Sequence, residues 1–300
     1  MNNEEKNFQK TNINWYPGHM AKTKKQIVED LKLVDVVIEL LDARIPKSSQ
    51  NPEIADLLAN KKRIVVLNKS DLADENETQK WIKEFKSQGI EAIQVDSNKG
   101  TGIQSIIKLV EKMMKEELER QTQKGRIRKT IRVMIVGIPN VGKSSFINRI
   151  SKKTTMAVGN RPGVTRQKQW IRIGNQIELL DTPGVLWPKF ESNEVGLNLA
   201  FTGSIKDEVI DKEEIAYYLI KYLNENYQNN LIEKYKIKQE EIEGIKDNPQ
   251  YILELMQLIG RKRGAIISGG VVDENKVANI VLDDFRSGKI GKITIEKVGD

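Results

Sequence analysis

The stretch Gly137-Ile-Pro-Asn-Val-Gly142-Lys143-Ser144 has the residue types and spacing of a phosphate cradle. Its glycines free backbone N–H groups to turn inward around a phosphate, and a helix starting at Lys143 would add the positive end of its dipole. Lys143 would then reach the terminal phosphates while the Ser144 hydroxyl ligates Mg2+. The competing reading is a plain structural turn. It is disfavoured by the apolar run Ile131–Val136 before the loop and the helical spacing after it. Further on, Asp181-Thr-Pro-Gly184 follows a second apolar run, Ile177–Leu180. It offers a carboxylate for the Mg2+ shell and a mobile glycine whose N–H can meet a γ-phosphate. Between the two lies Arg161-Pro-Gly-Val-Thr165, whose threonine could close on the Mg2+. Alone, Thr165 is a solvent-facing hydroxyl; it counts only with the set.

A base-reading device precedes these loops in the chain. Asn68-Lys69-Ser70-Asp71 directly follows the apolar run Arg63–Leu67. The Asp71 carboxylate can accept from guanine N1–H and the 2-amino group, two adjacent donors that adenine does not present. Asn68 would tie loops together and Lys69 would stack along the ring. Alone, an aspartate before Leu72 reads as a helix N-cap; beside a phosphate loop the base-reading role is favoured. Asp96-Ser97-Asn-Lys-Gly100-Thr-Gly102, after Ala92–Val95, would supply the last loop and close over the base.

The elements that must carry these loops alternate in type. Strand-like runs at Val34–Leu41, Arg63–Leu67, Ala92–Val95, Ile131–Val136, Trp170–Ile173 and Ile177–Leu180 are interleaved with helical spacing. The helical stretches are Met20–Leu33, Glu77–Gln88, Ile103–Glu119 and the segment from Lys143. Such alternation predicts an α/β fold, a mostly parallel sheet with helices on both faces. Beyond about residue 205 the strand signals stop, and Glu214–Leu223, Tyr251–Ile259 and Lys276–Phe285 carry helical spacing. The expected organisation is a nucleotide-binding domain over 1–204 and a small, mainly helical domain over 205–300.

Composition narrows the chemistry. The 300 residues include no cysteine, which excludes disulfides, thiolate metal sites and cysteine nucleophiles. A single histidine, His19, excludes a centre built from several imidazoles. The N-terminal sequence lacks the pattern of a secretory signal and no apolar run could span a bilayer, so the expected location is the cytoplasm. The net charge of +7 is unevenly placed: Arg120–Arg172 holds 14 Lys and Arg and no acidic residue. A stretch of one sign creates a field suited to an extended polyanion, most simply nucleic acid.

Taken with Trp15-Tyr-Pro-Gly-His-Met20, Asp42-Ala-Arg-Ile-Pro46 and Asp284-Phe-Arg-Ser-Gly-Lys-Ile-Gly291, the five loops resemble those of the translation-factor class of GTPases. Their order, with the base loops ahead of the phosphate loop, resembles the circularly permuted members, and in particular the ribosome biogenesis GTPase A family of large-subunit assembly factors. The resemblance implies a GTPase that binds GTP and GDP with Mg2+. Its nucleotide contacts would be Asn68, Lys69, Ser70, Asp71, Asp96, Ser97, Asn140, Val141, Gly142, Lys143, Ser144, Ser145, Thr165 and Gly184. The Mg2+ ligands would be Ser144, Thr165 and Asp181. Related permuted GTPases serving the small subunit carry a cysteine-based zinc site, which this chain cannot build.

Two departures matter. The second base loop usually reads Ser-Ala, where this chain has Asp96-Ser97. The glutamine that orients the attacking water in many GTPases is replaced by Val185, whose apolar side chain cannot hold a water. Intrinsic hydrolysis should therefore be slow, with help from elsewhere. The resemblance implies Asn140 holding K+ beside the phosphates, and His19 acting in hydrolysis beside Lys143; the alternative for His19 is a helix-capping role. The implied partners are the large ribosomal subunit and its rRNA, with no DNA and no membrane, and the protein a monomer. Expected rRNA-facing surfaces are the connector with Arg126, Arg128 and Lys129, and the groups Arg261-Lys-Arg263 and Arg286/Lys289/Lys292.

Overall fold

In the computed structural model the described residues are 20–58, 61–123, 130–152, 170–174, 176–182, 184, 186–187 and 190–299. His19, Thr165, Val185 and the connector residues Arg126, Arg128 and Lys129 lie outside them. Among the described residues six strands form one sheet: β1 (Val36–Asp42), β2 (Lys62–Asn68), β3 (Glu91–Val95), β4 (Ile131–Gly137), β5 (Trp170–Ile173) and β6 (Ile177–Asp181). The spatial order is β3-β2-β1-β4-β6-β5, parallel throughout except for β5, which runs antiparallel to β6. The class is α/β, as the alternating pattern predicts.

The chain's first strand lies at the centre of the sheet, and all seven of its residues are buried. A parallel strand covered on both faces must be apolar in both directions, which is why Val36–Leu41 reads as a run rather than an alternation. On one face, Val37, Met134 and Val136 pack against Ile27 and Leu31 of α1 (Met20–Leu31) and Ile54 and Leu58 of α2 (Pro52–Leu58). Further along the same face, Leu41, Val65 and Leu67 meet Trp81, Ile82 and Phe85 of α3 (Glu75–Ser87). The opposite-pointing Ile38, Leu40, Ile64, Val66, Val133 and Ile135 are equally buried. Ile103, Ile106 and Val110 of α4 (Ile103–Gln123) and Phe146, Ile147 and Ile150 of α5 (Lys143–Lys152) are buried as well. Each such side chain contributes about 1.5–3 kcal/mol by leaving water. The exception in β1 is Glu39, whose carboxylate pairs with Arg63 on β2; burial pushes this carboxyl up, and Arg63 pulls it only part of the way back.

The helix α2 has no apolar period long enough to announce it, yet its start is written in Asn51-Pro52. The Asn51 side chain accepts from Glu53 N–H at 3.0 Å, and Pro52 takes the first helical position, where no N–H is needed.

The chain divides into two compact units. One holds the sheet and also takes in the residues from Thr294 onward; the other runs to Ile293 and holds six helices among its described residues. These are α6 (Asn193–Phe201), α7 (Lys212–Asn226), α8 (Gln228–Tyr235), α9 (Gln239–Glu243), α10 (Tyr251–Arg263) and α11 (Glu274–Arg286). Gly260 allows α10 and α11 to meet closely, since an added Cβ would stand 2.7 Å from Val277 Cγ2. Among the described residues, no helix is long and apolar enough to cross a membrane.

Candidate nucleotide site

Parallel strands present their carboxyl ends at one edge, so the loops after β1, β2, β3, β4 and β6 all open on the same side of the sheet. The connections diverge at its centre. β1 is followed outward by β2 and β3, whereas β4 is followed in the other direction by β6 and β5. A crevice between oppositely departing loops is where open α/β sheets bind ligands.

The phosphate loop fills that position. Gly137, ending β4, lies so close to β1 that an added Cβ would be 2.6 Å from Leu40 O. Asn140 and Gly142 take left-handed conformations, with φ of 55° and 99°, which tighten the loop into the start of α5. Asn140 is exposed. The Lys143 ammonium donates to Gly137 O at 3.1 Å and Ile138 O at 2.9 Å, folding back over the loop. Gly184 approaches from the end of β6, where an added Cβ would be 2.6 Å from Lys143 Nζ and 3.0 Å from Pro139 N. Gly184 thus lies against both the Lys143 ammonium and the Pro139 backbone of the phosphate loop.

Asn68 joins three loops. Its Nδ2 donates to Val141 O at 2.8 Å, and its Oδ1 accepts from Ser97 N–H at 3.2 Å and Ser97 Oγ–H at 2.6 Å. An added Cβ at Gly142 would run into the same Asn68 amide. Asp71 is half-buried beside these groups, in a loop held by Ser70 N–H to Val95 O at 3.2 Å. The Asp96 carboxylate is used differently from an outward-facing ligand. It accepts from Asn98 and Lys99 N–H, both at 2.9 Å, and so shapes its own turn. Arg149 of α5 reaches the same loop, with Nε donating to Ser97 O at 3.2 Å.

Ser144 and Ser145 are exposed on the first turn of α5. Asp181 ends β6 in register with Ile135 of β4. A serine hydroxyl and an aspartate carboxylate are hard oxygen donors of the kind Mg2+ prefers, and the N-terminus of α5 favours a bound anion. The residues present fit Mg2+.

Behind the base loop stands a buried charge cluster that no spacing rule singled out. Asp42, at the end of β1, is fully buried and accepts from Arg44 Nε at 2.9 Å, Arg44 Nη2 at 2.8 Å and Lys69 Nζ at 2.9 Å. Burial pushes the Asp42 carboxyl up, but the two cations more than reverse this and hold it well below the ordinary carboxylate range. Burial pushes the Lys69 ammonium down, with Asp42 opposing. Lys69, expected along the base, is thus anchored at its tip to β1, and its backbone is left-handed, φ 58°. The hint in the sequence was an aspartate closing an otherwise apolar strand.

In the helical unit, Arg286 is committed to structure. It forms a two-pronged pair with Asp207 at 2.9 and 3.0 Å and donates to Ala200 O and Phe201 O. Lys262 pairs with Glu241 at 2.7 Å. Arg261 and Arg263 are exposed at the end of α10, and Lys289 is largely exposed.

Comparison with known proteins agrees with this geometry. The profile of a family described as 50S ribosome-binding GTPase matches residues 132–256, and one described as RsgA GTPase matches residues 54–191. Ribosome biogenesis GTPase A of Bacillus cereus is 45% identical over 284 residues, 95% of this chain and 93% of its own. The protein of that name from Thermotoga maritima is 32% identical over 96% of this chain and 95% of its own. Mitochondrial ribosome-associated GTPase 1 of Xenopus tropicalis is 33% identical over 94% of each chain. A GDP-bound YlqF structure superposes with a TM-score of 0.67 at 28% identity, over 92% of this chain and 100% of that one. The GNP-bound YlqF of T. maritima gives 0.66 at the same identity, over 93% and 99%.

Proposed function

Because the chain belongs to the ribosome biogenesis GTPase A family, and so hydrolyses GTP in the service of ribosome assembly, we propose that it acts on the large subunit as a nucleotide-controlled switch. The observation that carries this reading is the convergence on one sheet edge of the phosphate loop, Gly184 and the Asn68-tied base loops. Asp71 selects guanine and Lys69 lies along the ring, Ser97 and Asp96 close the pocket, and Asn140, Val141, Gly142, Lys143, Ser144 and Ser145 wrap the phosphates. Ser144, Asp181 and Thr165 would hold Mg2+, which would supply positive charge to offset the charge developing on the phosphates. Lys143 and the amides opening α5 stabilise the same charge as water attacks the γ-phosphorus and the bond to GDP breaks.

With valine at 185, water must be oriented and charge offset by other groups. Asn140 holding K+ is one, His19 the other, and the subunit completes the site. The supporting feature for Asn140 is its exposed, left-handed position inside the phosphate loop. Arg261 and Arg263 are the rRNA-facing residues of the helical unit, alongside the basic stretch Arg120–Arg172. GTP hydrolysis at fixed Mg2+ is expected to rise about a hundredfold or more with large subunits, and to be faster in K+ than in Na+. ATP and small subunits should have no comparable effect. Charge reversal at Arg261 and Arg263 should raise the subunit concentration needed. Fast hydrolysis without ribosomes, or equal turnover of ATP, would overturn this reading.

The order of the loops also wires the switch. Gly184 is followed after a few residues by α6, the first helix of the helical unit, so ordering of Gly184 by a γ-phosphate is transmitted there directly along the chain. The orientation of the two units should differ between GDP and a non-hydrolysable GTP analogue. Identical orientations on and off the ribosome would sink the coupling.

A further inference from the structure

After the helical unit ends at Ile293, the chain rejoins the sheet unit, and it does so behind the base loop. Thr294 Oγ1 accepts from Asp74 N–H at 3.0 Å, at the N-cap of α3. Ile295 N–H donates to Arg44 O at 2.8 Å, and Trp81 Nε1–H donates to Glu296 O at 2.9 Å. The side chain of Glu296 is buried, at 8% exposure, in the loop that follows β1. Its carboxylate accepts from Lys47 N–H at 2.6 Å, from Ser48 N–H at 2.9 and 3.0 Å, and from the Ser48 hydroxyl. A carboxylate is kept out of water only where donors replace its hydration, and here two of them are main-chain amides of one turn.

That turn is tied directly to the charge cluster. Ser49 Oγ accepts from Asp42 N–H at 3.1 Å and donates to Ile45 O at 2.7 Å. Arg44, whose carbonyl is held by Ile295, spends its guanidinium on Asp42, and Asp42 in turn holds Lys69. Glu296 therefore stands at one end of a path of hydrogen bonds and short backbone links whose other end is the Lys69-Ser70-Asp71 segment.

We propose that Glu296 is a positioning residue for guanine recognition: by fixing the 44–49 turn it holds Arg44 and Asp42, and through them the loop that presents Asp71 to the base. This rests on Asp71 being the base reader. Glu296 is too well covered to be a ligand group itself. Its effect should fall chiefly on the base half of the nucleotide, because the path enters neither β4 nor α5 and meets the phosphate loop only where Asn68, next to Lys69, holds Val141 O.

The test compares binding of GDP with binding of inorganic triphosphate to the full chain, which separates the base half from the phosphate half. Glu296→Ala is expected to weaken GDP about five- to tenfold and to leave triphosphate within about twofold of the parent. Glu296→Gln, which keeps the volume and one acceptor oxygen, should lie between, about two- to threefold weaker for GDP. It carries the test alone if the alanine variant does not fold. Asp71→Asn serves as the control for the underlying reading. Its amide would donate to the C2 carbonyl of xanthine, so preference should pass from GDP to xanthosine diphosphate. If Asp71→Asn changes the preference while both Glu296 variants bind GDP like the parent, the positioning role is wrong and the base reading stands. Equal weakening of GDP and triphosphate would mean a general structural role and would also overturn the proposal. If Asp71→Asn leaves GDP preferred, the base reading fails, and the inference fails with it.

Discussion

Lys143→Ala is expected to lower GTP turnover by about a hundred- to a thousandfold, the loss of one preorganised donor to a developing anion. The ammonium lies over the phosphate loop, 3.1 and 2.9 Å from the carbonyls of Gly137 and Ile138, on the side from which Gly184 approaches. A triphosphate entering this space would exchange those two carbonyls for phosphate oxygens and so bring its negative charge against Lys143. About 3–4 kcal/mol of transition-state stabilisation is at stake, at 1.36 kcal/mol per tenfold in rate. Single-turnover hydrolysis checks it, with thermal unfolding as a control for folding. Turnover within tenfold of the parent would remove Lys143 from the site.

The second large effect concerns stability. Asp42→Asn is expected to cost about 3–5 kcal/mol, because it leaves Arg44, itself 1% exposed, without its counter-charge. Lys69 would lose its partner at the same time. The dependence on pH follows from the direction of the shift. The Asp42 carboxyl is held below its ordinary range in the fold, so its contribution is complete above the unfolded carboxylate value, about 4, and fades as pH falls below it. The gap between parent and variant in urea unfolding should therefore be flat from about pH 5 to neutrality and narrow in stronger acid. A gap that opened or closed around neutrality would mean that another group carries the effect.

Most of the sheet was legible in the sequence because its strands are buried on both faces and read as apolar runs; the expected Trp170–Ile173 coincides with β5. The phosphate loop and Asn68 were legible for a different reason: their work is done by backbone turns and by residues a few positions apart. Three things were not. The helix α2 has a cap and a proline but too few residues for a period, and the short α8 and α9 escaped likewise. The charge cluster joins Asp42 to a lysine 27 positions away, and the Glu296 contact spans 248. No local pattern encodes distances of that order. Finally, charge counted along the chain says nothing of partners: Arg286, expected on a basic surface, is spent on Asp207, and the Asp96 carboxylate on its own turn.

The Glu296 contact also has a meaning in time. Translation makes β1 and the 44–49 turn early and completes β6 at Asp181, with α6 to α11 still to come. Glu296 is added only after that. A nascent or prematurely terminated product can thus contain every strand and every loop of the nucleotide site, yet lack the carboxylate that stills the turn behind the base. On the positioning role proposed for Glu296, the guanine side of the site is completed only once residue 296 has been made, later than its strands and loops.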